Sequence, residues 1–259
     1  MNNGQNGNFM NHKSLLYMVN INDPKSKVNC NDYGEYSMKS WEYWCKKHNI
    51  DFHVVTENEG NYDFPIWNKE NIHHYGQQYG KIGLVDSDTI IRWDAPNIFD
   101  LIEDGGIYGV NDLCDLNWLL DSIEQRQKFF PAQKMDLTKY LNTGILFFGN
   151  KHLSLFKYLL DFYLENKDEI QAIKGGGKEQ TLLNFFVQKE GIPVKVLDPE
   201  WNLLSIHRKN MFTGNWQLKV DPLPYFLKYA FVWHFTGFPI EDRVRLMKET
   251  WEIIKENYV

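Results

Sequence analysis

The chain has 259 residues with a formal charge of −6, and 15% of its residues are aromatic. That acidic balance excludes a dedicated nucleic-acid binder, which carries a basic stripe. The apolar runs fall short of the ~20 residues needed for a membrane span. Three widely spaced cysteines (Cys30, Cys45, Cys114) are an odd set that points to free thiols in a reducing, cytoplasmic compartment.

Residues 1–13, "MNNGQNGNFMNHK", lack the apolar centre of a secretory signal and read as a disordered tail. The remainder, 14–259, contains no internal repeat and no dividing linker, so a single domain is expected. "SLLYMVNI" from Ser14 predicts a buried strand, and Tyr36 to His48 a helix with Met38, Trp41 and Cys45 on one face. "DFHVVTE" predicts a second strand, Lys69 to Tyr79 a second helix, and "KIGLVD" from Lys81 a third strand. This β-α-β-α-β order predicts an α/β fold with a mainly parallel central sheet flanked by helices. Further on, "GGIYGV" predicts a strand and "LNWLLDSIEQRQKFF" a helix. Tyr140 to Asn150 predicts a strand with Asn-Thr-Gly at its start, followed by a helix from His152 to Asn166. Three glycines then precede a helix with Leu182, Leu183 and Phe186 inward. "PVKV" predicts a strand, "KYAFVWHFTGFP" a late strand ending at His234, and "EDRVRLMKETWEIIKENYV" an amphipathic last helix that packs on the domain.

The chemistry concentrates where "KIGLVDSDTII" turns from apolar to acidic. Alternate strand residues share a side, so Asp86 and Asp88 can converge, and the nearest following cation is Arg92. Parallel sheets bind ligands at the carboxyl ends of their strands. A solvated turn explains Asp-Ser-Asp equally well; the alternative is a hard cation such as Mg²⁺ or Mn²⁺. His234, at a strand end, is either a core residue or a nitrogen ligand to the same cation. "GGGKEQ" is either a flexible lead into a helix or a close backbone approach to a ligand, with Glu179 and Gln180 at the helix start. Its spacing is not that of a phosphate-binding loop.

Four blocks, "KIGLVDSDTII", "LNTGILFF", "GGGKEQTLLNFF" and "WHFTGFP", occur in this order between Lys81 and Pro239. Together they resemble the retaining, nucleotide-sugar-dependent glycosyltransferases of family eight, the group of glycogenin and the lipopolysaccharide galactosyl- and glucosyltransferases. The resemblance implies a GT-A (Rossmann-like) fold and a metal, Mn²⁺ (or Mg²⁺), held by Asp86, Asp88 and His234. It implies donor contacts from Asn20, Asp23, Tyr33, Lys69, Asp86, Ser87, Asn142 and Gly237. Gln180 then lies below the anomeric carbon, with Glu179 where the family usually has Asp. The implied partners are a nucleoside diphosphate sugar, a UDP-sugar first, and a glycan or glycoconjugate acceptor. Retention proceeds by front-face attack or through a covalent intermediate on Glu179. The family's diphosphate lysine is Ile240 here, which leaves Arg243 or Arg245 as its replacement. Rival readings are a catalytically inactive nucleotide-sugar binder and a metal-dependent phosphotransferase or phosphatase. The latter tends to carry the acid pair on its first strand.

Overall fold

The computed structural model describes residues 13–24, 29–103, 105–113, 115–204 and 225–259. All but one residue of the expected N-terminal tail, and Cys114, lie outside them. Six strands form the central sheet: β1 (Ser14–Val19), β2 (Asp51–Val55), β3 (Lys81–Asp86), β5 (Ile107–Asn111), β6 (Leu141–Gly149) and β7 (Val194–Val196). Their spatial order is β2-β1-β3-β6-β5-β7. β6 alone runs against its neighbours β3 and β5; the pairings β1–β2, β1–β3 and β5–β7 are parallel. A separate two-stranded antiparallel sheet joins β4 (Thr89–Ile91) to β8 (Val232–His234), with Thr89 opposite His234.

The two-residue period of the strands sorts their side chains into two layers. Leu15, Tyr17, Ile82, Leu84, Leu146 and Phe148 face one core, which α4 (Leu153–Glu165) and α6 (Lys178–Lys189) complete. Leu16, Met18, Val85, Ile145 and Phe147 face the other, closed by Trp41, Trp44 and Cys45 of α1 (Asn31–His48). A third cluster packs Trp233 of β8 and Ile90 of β4 against Leu246, Met247 and Ile254 of the last helix, α8 (Ile240–Ile254). That helix and its tail dock on the domain as the sequence predicts: Trp251 is buried and the Tyr258 hydroxyl donates to the Ile91 carbonyl.

The expected helix over Lys69–Tyr79 is not continuous. A 3₁₀ turn at Pro65–Lys69, one α-helical turn α2 (Ile72–Tyr75) and a second 3₁₀ turn at Gly76–Gln78 replace it. The Asn68 amide donates to the Pro65 carbonyl, a local side-chain bond that competes with helix propagation. The broken path turns Lys69 and Glu70 inward, where both are buried. The remaining helices are α3 (Leu116–Arg126), α5 (Lys167–Ala172) and the short α7 (Tyr225–Tyr229). Among the described residues no helix is long and apolar enough to cross a membrane.

Candidate active site

β1 and β3 end at the same edge of the sheet at which antiparallel β6 begins, so Asp86 at the end of β3 lies beside the Asn142–Gly144 stretch. Asp88 is not in the strand. It occupies the turn that joins β3 to β4, where the Thr89 hydroxyl closes on the Asp86 carbonyl at 2.6 Å. The pair therefore converges through a turn rather than through strand pleating. β8 brings His234 to the same point, and one ligand atom from each of Asp86, Asp88 and His234 lies within 4.8 Å of the others.

Arg92 does not answer the repulsion between the two acids; it pairs with Asp94. The cations come from far along the chain. Lys69 Nζ sits 2.6 Å from Asp86 Oδ1, and Arg243 of α8 places NH1 3.0 Å from Asp88 Oδ2. Burial disfavours the Lys69 ammonium, but Asp86 and then Glu179 outweigh that cost and hold its pKa above the ordinary lysine value. Burial likewise opposes the Asp88 carboxylate. Arg243, reinforced by His234 when protonated, keeps its pKa well below the usual range.

His234 Nδ1 lies 2.9 Å from Asn202 Oδ1, while Nε2 stands 3.1 Å from Asp88 Oδ1. Nε2 has no hydrogen-bond partner among the described residues. A neutral imidazole that donates through Nδ1 presents a lone pair at Nε2. That lone pair would face a carboxylate oxygen, an arrangement a proton or a metal ion relieves. Two adjacent ligands on an ion with ~2.1 Å bonds lie about 3 Å apart, close to the spacing seen here. The residues present therefore fit a divalent cation. Gly144 makes room for this: a Cβ there would stand 2.3 Å from His234 Cε1 and 2.8 Å from Asp86 Oδ2.

At the other end of the site most polar atoms bond to one another, Glu179 Oε1 being without a hydrogen-bond partner among the described residues. Gln180 Oε1 accepts from the Thr143 N–H at 3.1 Å and the Asn142 amide at 3.2 Å, and Gln180 Nε2 donates to Asp112 Oδ2 at 2.9 Å. Asp112 also accepts from Asn142 Nδ2 at 3.0 Å. Glu179 accepts from the Thr143 hydroxyl at 3.0 Å and has Lys69 Nζ at 3.9 Å. Burial pushes the Glu179 carboxyl up; Lys69 pulls the other way. The glycine loop before α6 packs on α3: Arg126 donates to the Gly176 carbonyl at 3.0 Å, and a Cβ on Gly176 would stand 3.1 Å from Trp118 Nε1. Gly177, with φ +71°, caps the helix in the left-handed region that favours glycine.

Two cavities meet over Lys69 and Asp86. The larger, about 680 Å³, is lined by Asn142, Glu179, Gln180, His234 and Gly237, with Asp112 and Trp118 on its wall. The smaller, about 260 Å³, is lined by Asp23, Tyr33, Ser87, Asp88 and Arg243. Burial, then the charge of Asp88, pushes the Tyr33 phenol up to about 12, so it stays a neutral donor. Asn20 lines neither cavity; it is buried against Gly34 of α1, its amide donating to Asn31. Arg245 also lies away, exposed and paired with Asp242 and Glu249.

No family model matches the chain, and no curated protein matches it. Solved structures do. A glycosyltransferase involved in the glycosylation of the major capsid of PBCV-1 superposes with a TM-score of 0.58 at 13% identity, over 92% of this chain and 99% of its own. The galactosyltransferase LgtC, solved with donor and acceptor sugar analogues, gives 0.54 at 14% identity over 93% and 95%. The bifunctional glycosyltransferase WbbM gives 0.53 at 13%, over 96% of this chain and 52% of that one. The chain has the fold of these glycosyltransferases.

Asp112, Asn202 and Glu70 carry no role in the sequence reading, and Thr143 and Gly144 enter it only within the Asn-Thr-Gly opening of β6. Asp112 carries a readable signal: "IYGVND" is an apolar strand that ends on polar residues at the sheet edge, as "IGLVD" does. Asn202 follows a 3₁₀ turn at Pro199–Trp201 in a stretch with no periodicity, and nothing local marks it.

Proposed function

We propose that this chain is a metal-dependent glycosyltransferase. It moves a sugar from a nucleoside diphosphate sugar, a UDP-sugar first, to a hydroxyl of a glycan or glycoconjugate, with retention at the anomeric carbon. One observation carries the reading: Asp86, Asp88 and His234 converge where the two cavities meet, within the fold of known glycosyltransferases. In this reading the smaller cavity takes the nucleoside, with Asp23 and Tyr33 on its wall, and the larger takes the transferred sugar and the acceptor.

Asp86, Asp88 and His234 would hold a divalent cation, whose charge would stabilise a departing diphosphate. The chain's own cations act beside it. Lys69 is buried at the junction of the cavities, and Arg243 reaches the smaller one, so both offer hydrogen bonds to phosphate oxygens. Arg243 is the candidate for the role the family gives to a lysine; the outward pairing of Arg245 supports that choice. Gln180 cannot rotate freely, because both ends of its amide are held, and it serves as a positioned dipole beneath the sugar. Glu179 is nearly enclosed and its carboxyl pKa is raised, which supports front-face attack over a covalent intermediate. Free Cys30 and Cys45 support a cytoplasmic setting.

A thermal-shift screen of nucleotides and nucleotide sugars with Mn²⁺ tests the reading. A ligand at a hundred times its Kd adds ~2.7 kcal/mol to stability. Stabilisation by a nucleoside diphosphate only when Mn²⁺ is present is expected. No response to any nucleotide would set the reading aside.

A further inference from the structure

We infer that Asn202, oriented by Asn142, is a positioning residue for the cation site: it locks the His234 ring in the Nδ1–H form and aims Nε2 at Asp88. The inference rests on the metal-dependent reading of the same site, and adds to it a residue outside the four sequence blocks.

The argument starts from the one donor whose identity is fixed by its chemistry. The Gly144 backbone N–H can only donate, and it lies 3.0 Å from Asn142 Oδ1. That settles which end of the Asn142 amide is oxygen, a question side-chain shape leaves open. Its other end, Nδ2, then points to Asp112 Oδ2 at 3.0 Å, an acceptor when ionised. Because Asn142 Oδ1 accepts, the group that approaches it from Asn202 at 3.0 Å is the Asn202 amide nitrogen. Asn202 Oδ1 is thereby left to face His234 Nδ1 at 2.9 Å, and an amide oxygen only accepts. The proton of a neutral His234 is on Nδ1.

Every donor in this series points the same way, from His234 through Asn202 and Asn142 to Asp112. All four side chains are buried, so water does not scramble the order. The consequence appears at the far side of the ring. Nε2 has no donor to accept from among the described residues and stands 3.1 Å from Asp88 Oδ1. A ligating histidine usually donates its second N–H to an oxygen that orients it, and here an amide fills the place often taken by a carboxylate. The same series reaches the sugar end of the site. Asn142 Nδ2 also lies 3.2 Å from Gln180 Oε1, so one hydrogen-bonded set orients both the cation ligand and Gln180.

The experiment pairs nitrogen NMR of the His234 ring with Mn²⁺ titration followed by the electron-paramagnetic-resonance signal of free Mn²⁺, in the full chain. In metal-free wild type the expected spectrum shows a protonated Nδ1, assigned by loss of the signal in His234→Gln. Asn202→Leu, which removes the acceptor at similar volume, should lose the fixed tautomer and weaken Mn²⁺ binding about 10–100-fold. Asn202→Asp, which keeps an acceptor at Nδ1, should hold the tautomer. A wild-type ring with Nδ1 bare and its proton on Nε2 overturns the inference without any variant, and so does unchanged Mn²⁺ affinity in Asn202→Leu. Wild type that keeps the Nδ1–H form but binds no Mn²⁺ overturns both the cation-site role and the metal-dependent reading. Wild type that binds Mn²⁺ with the proton on Nε2 overturns only the role of Asn202.

Discussion

The two ends of the site differ in how their polar atoms are satisfied. At Gln180, Asn142 and Asp112 the donors and acceptors meet one another within 3.2 Å. At Asp86, Asp88 and His234 acceptors face one another, and the charges that offset them, Lys69 and Arg243, each reach only one of the two aspartates. A buried polar group without a partner is costly, and a conserved total of charge does not remove the cost of two acceptors in contact. In the proposed reaction the contrast separates roles: the first end is a rigid scaffold beneath the sugar, and the second takes the cation.

Removing a ligand from the second end gives the largest expected effect. Asp88→Asn should weaken binding of a nucleoside diphosphate with Mn²⁺ by at least about 100-fold, measured by calorimetry. Near-wild-type affinity would mean that Asp88 serves only Arg243 and the turn. At the first end, Gln180→Ala should lower kcat by about 100-fold with little change in donor affinity, because a positioned dipole counts mainly in the transition state. Glu179→Gln should keep substantial activity under front-face attack. A nearly dead Glu179→Gln rescued by azide, with an inverted glycosyl azide as product, would instead identify a covalent nucleophile.

Smaller effects sharpen the division. Arg243→Ala should weaken nucleoside diphosphate binding about tenfold, the scale of one charged hydrogen bond, while Arg245→Ala should leave it unchanged. Equal effects from both would assign them to general surface charge. Glu70 tests what lies beneath. Both its carboxylate oxygens lack hydrogen-bond partners among the described residues. Burial, then repulsion from Glu179, pushes its carboxyl well above the ordinary value against the pull of Lys69. The folded chain therefore retains a proton that the unfolded chain releases, so this contribution to stability is present below the ordinary carboxyl value and lost as pH rises. Glu70→Gln should be more stable than wild type at pH 7 by about 1–3 kcal/mol in chemical denaturation, with the gap closing toward pH ~4.3. A gap that does not change with pH would show that Glu70 is charged in both states.

The parts of this site legible in the sequence are those that lie in local patterns. Asp86 terminates an apolar strand and His234 terminates another, while Gln180 opens a helix after glycines; each is visible from its neighbours alone. The β-α-β-α-β order of the first third of the chain likewise predicts the layered α/β fold. Lys69 was flagged through family resemblance, but the helix expected to carry it is broken by Asn68 and the inward pair Lys69–Glu70. Asn202 became readable only when chain folding set it beside a residue 32 positions away, and the fold chose Arg243 over Arg245 by setting it beside Asp88, 155 positions away. Arg92, nearest in sequence to the acid pair, went to Asp94 instead. Proximity in sequence did not identify the balancing cations, because β8 and α8 return to this edge after a long excursion.

The central claim is that sugar transfer needs a cation at Asp86, Asp88 and His234. Its most direct test follows release of the nucleoside diphosphate from a panel of nucleotide sugars, with Mn²⁺, after excess chelator, and after Mn²⁺ is restored. The account predicts release from at least one sugar donor, loss of release with chelator, and recovery on re-addition. Undiminished release in excess chelator would contradict it.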